Sequence, residues 1–290
     1  MPSMRHAPTS AGIGLRLPHI EEAVAARPSV GWLEIHPENF VANPHATELL
    51  VDLARFYPIS VHTVGLSVGS ATGIDRRHLG RVRALLDRLD PFLVSGHLAW
   101  STHGADYLND LLPLPYDEET LRIVSDQLAE VQDGLGRSFL LENPSRYVGF
   151  AGSTMTEVQF LNELVDRAGC RLLCDVSNVY VSSHNMGYDA HAYTDGLPGA
   201  AISELHLGGF TREEDEATPG GHVLIDTHAA RVADAAWELY AYAVGRFGHR
   251  PTLIEWDNEI PALATLVDEA RRANTTAESA CDLEASRAAR

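Results

Sequence analysis

The sequence predicts a single-domain α/β protein, a TIM-type (β/α)8 barrel, on three observations. Eight short apolar or β-branched segments are bounded by turn residues, stretches of helical periodicity separate them, and 290 residues suit one barrel of about 250 with modest insertions. In order, the strand candidates are residues 12–16, 32–36, 59–62, 93–97, 139–142, 172–175, 202–206 and 252–256. Between them, residues 20–26, 78–89, 118–134, 156–168 and 229–247 carry apolar side chains at three- and four-residue spacing, the stripe of a helix packed on a sheet. An open doubly wound sheet would alternate in the same way, but eight is the number a closed parallel barrel needs. The barrel domain is read as residues 12–272, between a tail at 1–11 and a polar, Ala-rich tail at 273–290 that is expected to fray.

Composition narrows the class by exclusion. With 45% hydrophobic and 21% charged residues the chain is neither disordered nor fibrous. No run of about 18 apolar residues occurs and residues 1–10 lack the apolar centre of a secretory signal, so the expectation is a cytoplasmic protein without a membrane partner. Three cysteines, Cys170, Cys174 and Cys281, are too few for a disulfide framework, and the first two flank a strand candidate as core thiols. A net charge of −18 has the wrong sign for holding phosphate backbones, so nucleic acid is not expected as a partner.

The strongest signal lies at the strand ends. Six of the eight candidates end in, or run into, a side chain able to bind metal: His36, His62, His97, Glu142, Asp175 and His206, with Glu255 near the end of the last strand. In a barrel of this type those ends share one face, so residues distant in sequence converge. A lone strand-end histidine is more often a hydrogen-bonded structural residue than a ligand. Seven such side chains together reverse that judgement, because clustered carboxylates repel and desolvate at several kcal/mol each unless cations neutralise them. Imidazole mixed with carboxylate suits Fe, Mn, Zn or Co, and there is no Cys-x-x-Cys pair to suggest a thiolate site.

Further residues extend that face. Asn178, Tyr180 and His184 follow Asp175, and the long stretch from Gly208 to Ile225, a candidate lid, runs into Asp226-Thr-His228, a two-ligand clip that reads equally well as a helix N-cap. The histidines at 6, 19, 45, 78, 103, 191, 222 and 249 have no partners at ligand spacing and read as surface residues, His222 being the one nearest the clip. The run Arg212-Glu-Glu-Asp-Glu216 reads as a solvated loop. Gly65, Gly69, Gly208 and Gly209 could cradle an anion but fit no nucleotide fingerprint, and no Gly-x-Ser-x-Gly elbow occurs.

Several motifs occur in collinear order over roughly residues 12–270: Trp32-Leu-Glu-Ile-His-Pro-Glu-Asn-Phe40, Val64-Gly-Leu-Ser-Val-Gly-Ser70, Gly96-His-Leu-Ala-Trp-Ser101, Tyr107-Leu-Asn-Asp-Leu-Leu-Pro-Leu-Pro115, Leu141-Glu-Asn-Pro144, Cys174-Asp-Val-Ser-Asn-Val-Tyr180, Leu224-Ile-Asp-Thr-His228 and Leu253-Ile-Glu-Trp-Asp257. With them the chain resembles the multinuclear non-haem iron-dependent oxidative enzymes, of the methanobactin-biosynthesis type. The resemblance implies a barrel holding two or three irons that uses dioxygen to oxidise a residue, usually cysteine, of a ribosomally made precursor peptide, with a separate partner protein helping to deliver it. It assigns His62, His97 and Glu142 to one iron, with Glu142 bridging to a second held by Asp175, His206 and Glu255, and gives Asn178, Asp226 and His228 to a third. Glu34, Glu38 and Asn39 become residues supporting those ligands, and His36 is not a ligand. Met186 and Phe210 stand where many members carry histidine, and Gly96 where a Glu is frequent, which leaves His184 as the substitute ligand in that loop. Two readings outside the family are a divalent-metal barrel isomerase or phosphodiesterase, and a non-catalytic metal-binding scaffold that presents peptides.

Overall fold

The computed structural model describes residues 8–104, 106–215 and 220–288. Eight parallel strands close into a barrel in sequential order: β1 (Gly12–Gly14), β2 (Leu33–Ile35), β3 (Ile59–Thr63), β4 (Leu93–His97), β5 (Leu140–Glu142), β6 (Arg171–Asp175), β7 (Ile202–Gly208) and β8 (Thr252–Glu255), with β8 pairing back to β1. The fold is therefore the one the sequence predicts. Around it run α1 (Ile20–Ala26), α2 (Pro44–Leu53), α3 (Arg76–Leu89), α4 (Glu118–Leu135), α5 (Glu157–Ala168), α6 (Val176–Met186), α7 (Ala190–Gly196), α8 (Asp234–Phe247) and α9 (Leu263–Ala288). Among the described residues no helix is long and apolar enough to cross a membrane.

Alternation along the strands divides the molecule into two interiors. Leu33 and Ile35, Val61, Val94 and Leu205 are buried in the apolar core with side chains of the helices, such as Leu50, Leu86, Leu128 and Trp237. The intervening positions, Glu34, Ser60, His62, Ser95, Glu204, His206 and Glu255, are also buried but polar, and they meet inside the barrel. Ser60 Oγ donates to Glu34 Oε2 at 3.1 Å, and Ser95 Oγ lies 2.8 Å from His62 Nδ1.

The helix ends follow local chemistry. Asp75 and Asp117 cap α3 and α4, and Thr156 with Gln159 forms a capping box on α5. The helix expected from residue 229 begins only at Asp234, with Ala233 as its N-cap, so Asp226 and Thr227 do not cap it. The long stretch after β7 is not one irregular loop. It pairs Thr211–Glu214 with His222–Ile225 as an antiparallel hairpin, while residues 216–219, including Glu216 of the acidic run, lie outside the described residues. A second hairpin, Trp100–His103 with Asp106–Leu112, rises after β4.

The C-terminal segment corrects the expectation of a frayed tail. Helix α9 continues through residue 288 and buries Ala273, Ala277 and Ala280, and Asn274 Oδ1 accepts the Ala11 N–H at 2.7 Å at the start of β1. The alanine-rich composition that suggested fraying is the small-residue stripe that lets α9 lie close to the body. Residues 1–7 and 289–290 of the expected tails lie outside the described residues. Deleting residues 273–290 removes that packing, at roughly 0.8 kcal/mol per buried methyl group. For a domain of this size the deletion is expected to lower Tm by about 5 °C or more in a thermal melt; a frayed tail would leave Tm unchanged.

Candidate metal centre

Adjacent strands set the site by register. His97 on β4 lies opposite Glu142 on β5, and Asp175 on β6 opposite His206 on β7. Asn143, next to Glu142, clamps the following strand end, its side chain accepting the Asp175 N–H at 2.9 Å and donating to the Asp175 carbonyl at 3.0 Å. Strand β6 then turns directly into α6, whose N-cap is Asp175 itself. One carboxylate oxygen accepts the Asn178 N–H at 2.8 Å, leaving Oδ2 buried with no hydrogen-bond partner.

Five metal-competent groups of side chains converge there among the described residues, two of them built on Glu34, with Glu204 and His206 and with His36 and Glu255, and three on the strand-end ligands. His62 Nε2 lies 3.2 Å from His97 Nε2 and 3.3 Å from Glu142 Oε2, and His97 Nε2 lies 3.5 Å from the same oxygen. Ligands about 2.1 Å from one tetrahedral ion stand about 3.4 Å apart, so these three groups are spaced as a shared cation would require. Glu142, Asp175 and His206 form a second group with donor atoms within 4.8 Å of one another, and Asp175, His228 and Glu255 form a third. His206 Nδ1 is 3.1 Å from Glu255 Oε2. Asp226 and His228 meet as a pair, Oδ1 to Nε2 at 2.8 Å, without the angles of a hydrogen bond. Asn178 donates from Nδ2 to Glu142 Oε1 at 3.2 Å and keeps Oδ1 unpartnered.

Glu204 is the residue that the sequence reading missed. It precedes His206 by two positions, as Glu34 precedes His36, so strand periodicity puts all four on the inner face; that signal was available. Glu34 Oε2 and Glu204 Oε1 each lie 3.5 Å from His206 Nε2 on the side away from Glu255. Both carboxylates are fully buried. Arg16 closes the far wall, with Nη2 3.1 Å from Glu255 Oε1 and Nε 2.5 Å from Asp257 Oδ1.

Other expected residues fall elsewhere. Glu38 faces away from the cluster, accepting the Gly65 N–H at 2.9 Å and lying 2.9 Å from His78 Nε2, so His78 is a buried partner rather than a surface residue. Asn39 closes a helical turn with its N–H on the His36 carbonyl. His19 is buried against the Pro261 carbonyl. His184 reaches the His222 carbonyl at 3.0 Å and joins none of the metal-competent groups among the described residues. His36 stands 3.5 Å from Glu255 Oε1. Gly208 is no anion cradle: a Cβ there would sit 2.3 Å from the His228 ring, so the glycine makes room for that imidazole. His228 itself holds a left-handed φ of 45°, fixed by its carbonyl accepting the N–H groups of Asp257 and Asn258.

The donor set fits metal ions. Burial, then repulsion from neighbouring imidazoles, keeps His62 neutral well below its ordinary range, and burial brings His97 down to about 4, so both offer lone pairs. Burial also pushes carboxyls up, Asp175 to about 6, Glu204 to about 7 and Glu142 well above its usual value. Against burial, the carboxylates of Glu34, Glu204 and Glu255 raise His206, and Asp226 and Glu255 raise His228. The interior thus draws in positive charge, as protons or as cations. A cavity of about 170 Å³ opens onto His97, Glu142, Asp226, His228 and Glu255, walled by Val64 and Leu111, smaller than the roughly 300 Å³ lower end of ordinary ligand pockets and of a size for one amino-acid side chain.

A stability profile follows. In the window upward from about pH 6.5, Glu142, His206 and His228 bind more protons folded than unfolded, and Glu204 does so until about pH 7, so the stability they contribute is lost as pH rises, while His62 and His97 act only below that window. The metal-free protein is therefore expected to lose Tm across this window, and added divalent metal to restore it most at the alkaline end. A flat metal-free profile in thermal melts would contradict the assignment.

Comparison with known proteins adds to the geometry. A UPF0276 protein of Vibrio vulnificus strain YJ016 is 47% identical over 265 residues, covering 91% of this chain and 90% of that protein. One from Chromobacterium violaceum is 45% identical over 271 residues, covering 93% and 96%. Among solved structures, an L-ribulose 3-epimerase superposes with a TM-score of 0.61 at 15% identity, covering 96% of this chain and 98% of that one. A xylose isomerase-like TIM barrel protein from Mycobacterium smegmatis in complex with magnesium gives 0.60 at 14%, covering 97% and 99%. At such identities these structures support the barrel fold alone. The family model described as RiPP precursor modification enzyme MbnB/TglH/ChrH matches residues 10–278, and the chain belongs to that family, the one its motifs resemble.

Proposed function

We propose that the protein is a multinuclear iron enzyme that uses dioxygen to oxidise a cysteine residue of a ribosomally synthesised precursor peptide, working with a partner protein that helps deliver the peptide. The observation that carries this reading is the cavity of side-chain size lined by Glu142, Asn178, Asp226 and His228, each with a buried polar atom that makes no hydrogen bond, and backed by the buried Oδ2 of Asp175, which makes none either. Buried carboxylates without partners are costly, and metal ions are the economical way to satisfy them. A family of precursor-modifying enzymes supplies the substrate class.

His62, His97 and Glu142 would hold one iron, Glu142 would bridge to a second held by Asp175, His206 and Glu255, and Asn178, Asp226 and His228 would hold a third. When bound, the irons supply dioxygen activation and an open position for the substrate sulfur or carboxylate. The chain's own residues do the rest. Asn178 Nδ2 fixes the orientation of Glu142, and Arg16 holds Glu255. Glu34 and Glu204 flank His206 Nε2, leaving Nδ1 for the cluster, the arrangement in which an outer carboxylate sets a ligand's tautomer. Val64 and Leu111 wall the cavity and exclude water from the reacting side chain. The hairpin of Thr211–Glu214 and His222–Ile225 leads into Asp226 and would serve as the lid.

Two substitutions test the assignment. Glu142→Ala and His97→Ala are expected to fold, to lose bound iron when purified anaerobically, and to lower the dioxygen-dependent mass change of a co-expressed precursor peptide by about 100-fold or more. Full activity in both variants would remove the model. Dioxygen uptake separates this chemistry from an isomerase or phosphodiesterase: metal-dependent turnover that proceeds equally without dioxygen would contradict the oxidase reading.

A further inference from the structure

Of the nine large hydrophobic side chains exposed among the described residues, six lie on two segments that reach the metal-site cavity at one end, at Leu111 and at Pro144 and Ser145: Tyr107, Leu108 and Leu111 on the first, Tyr147, Val148 and Phe150 on the second. Leu111 itself lines the cavity, as do Pro144 and Ser145, and Tyr147 Oη accepts the Asp226 N–H at 2.9 Å. Such a concentration of apolar surface at the mouth of a site marks a binding face rather than ordinary surface scatter.

The hairpin that carries the first three treats its two edges differently. The inner strand, Trp100–His103, is closed off by hydroxyls: Ser67 Oγ accepts the N–H groups of Ser101 and Thr102 at 2.8 and 3.1 Å, and Ser70 Oγ donates to the Thr102 carbonyl at 2.7 Å. Beyond that strand, the Gly104 N–H donates to Thr72 Oγ1 at 3.0 Å. The outer strand, Asp106–Leu112, pairs with no further strand among the described residues and carries neither Lys nor Pro to blunt it. The Leu111 N–H is taken by Asp110 Oδ1 at 2.8 Å; the open main-chain groups before it on this edge are satisfied by another extended backbone, and the strand runs toward the cavity wall at Leu111.

We infer that the outer edge of Asp106–Leu112 docks the substrate peptide as an added β-strand, feeding the residue to be modified into the cavity beside Leu111. The inference rests on the proposed peptide-modifying function and names the surface that function uses. Charge selects the occupant. Asp106 and Asp110 lie on this edge and the chain carries −18 overall, so a second copy of the strand is repelled, whereas a neutral or basic segment with apolar residues complements both the edge and its flanks.

The test uses the full iron-loaded chain. Short random-sequence peptides displayed on ribosomes are selected for binding, and amide hydrogen exchange is measured with the enriched peptides. Neutral or basic peptides are expected to emerge and to slow exchange within residues 106–112. Successive residues of a strand alternate the direction of their N–H groups, so one of the two variants Leu108→Pro and Asn109→Pro removes an outward donor; that variant is expected to weaken binding about tenfold with iron content unchanged. Failure to enrich any peptide, protection confined to another surface, equal binding by both variants, or protection of these amides by a second copy of the chain would each overturn the inference. Exposing the bound peptides to dioxygen separates the two readings: docking without any mass change keeps the edge and removes the oxidase, while modification without protection at 106–112 does the reverse.

Discussion

The constraint on which this molecule turns is negative charge buried inside a barrel. Glu34, Glu142, Asp175, Glu204 and Glu255 are each at most 4% exposed, and Arg16 contributes one guanidinium against them. An interior of this kind is unfavourable for a bare protein, because each desolvated carboxylate costs several kcal/mol unless paired. Protons held on His206 and His228 by their carboxylate neighbours would relieve part of it; cations would relieve more and satisfy the oxygen and nitrogen atoms left without hydrogen bonds. The site is therefore not a decoration on a finished fold, since bound cations would complete the barrel's polar interior.

The surrounding structure keeps those charges in place. Asn143 locks the end of β5 to the end of β6, the N-terminus of α6 takes one oxygen of Asp175, and the absence of a side chain at Gly208 leaves space for His228 in its left-handed conformation. The opposing shifts of neighbouring groups express the same arrangement. Burial raises Glu142 and Asp175, whereas Arg16 and the nearby imidazoles overcome burial at Asp257 and hold it at about 2. Carboxylates close together in space thus differ in role because their neighbours differ in sign.

Much of this was legible in the sequence, for a physical reason. Parallel strands buried on both faces show up as short apolar segments, and the fixed geometry of a barrel converts "last residue of the strand" into "same face of the molecule"; this is why His62, His97, Glu142, Asp175 and His206 could be chosen together. Glu204 was passed over because it lies a layer below the strand end, although its spacing of two from His206 puts it on the same inner face. The partnership of His78 with Glu38 joins a helix to the turn after β2 and leaves no local pattern. Helix α9 was misread because an Ala-rich polar segment has the same composition whether it frays or packs closely through its small side chains.

Where metal sits in the barrel can be located directly by diffraction. Crystals grown from protein purified without oxygen, with anomalous diffraction recorded on either side of the iron absorption edge, should show one iron peak among His62, His97 and Glu142 and a second among Asp175, His206 and Glu255. An interior free of anomalous signal, with those carboxylates neutralised by protons alone, would contradict the claim that cations complete this barrel.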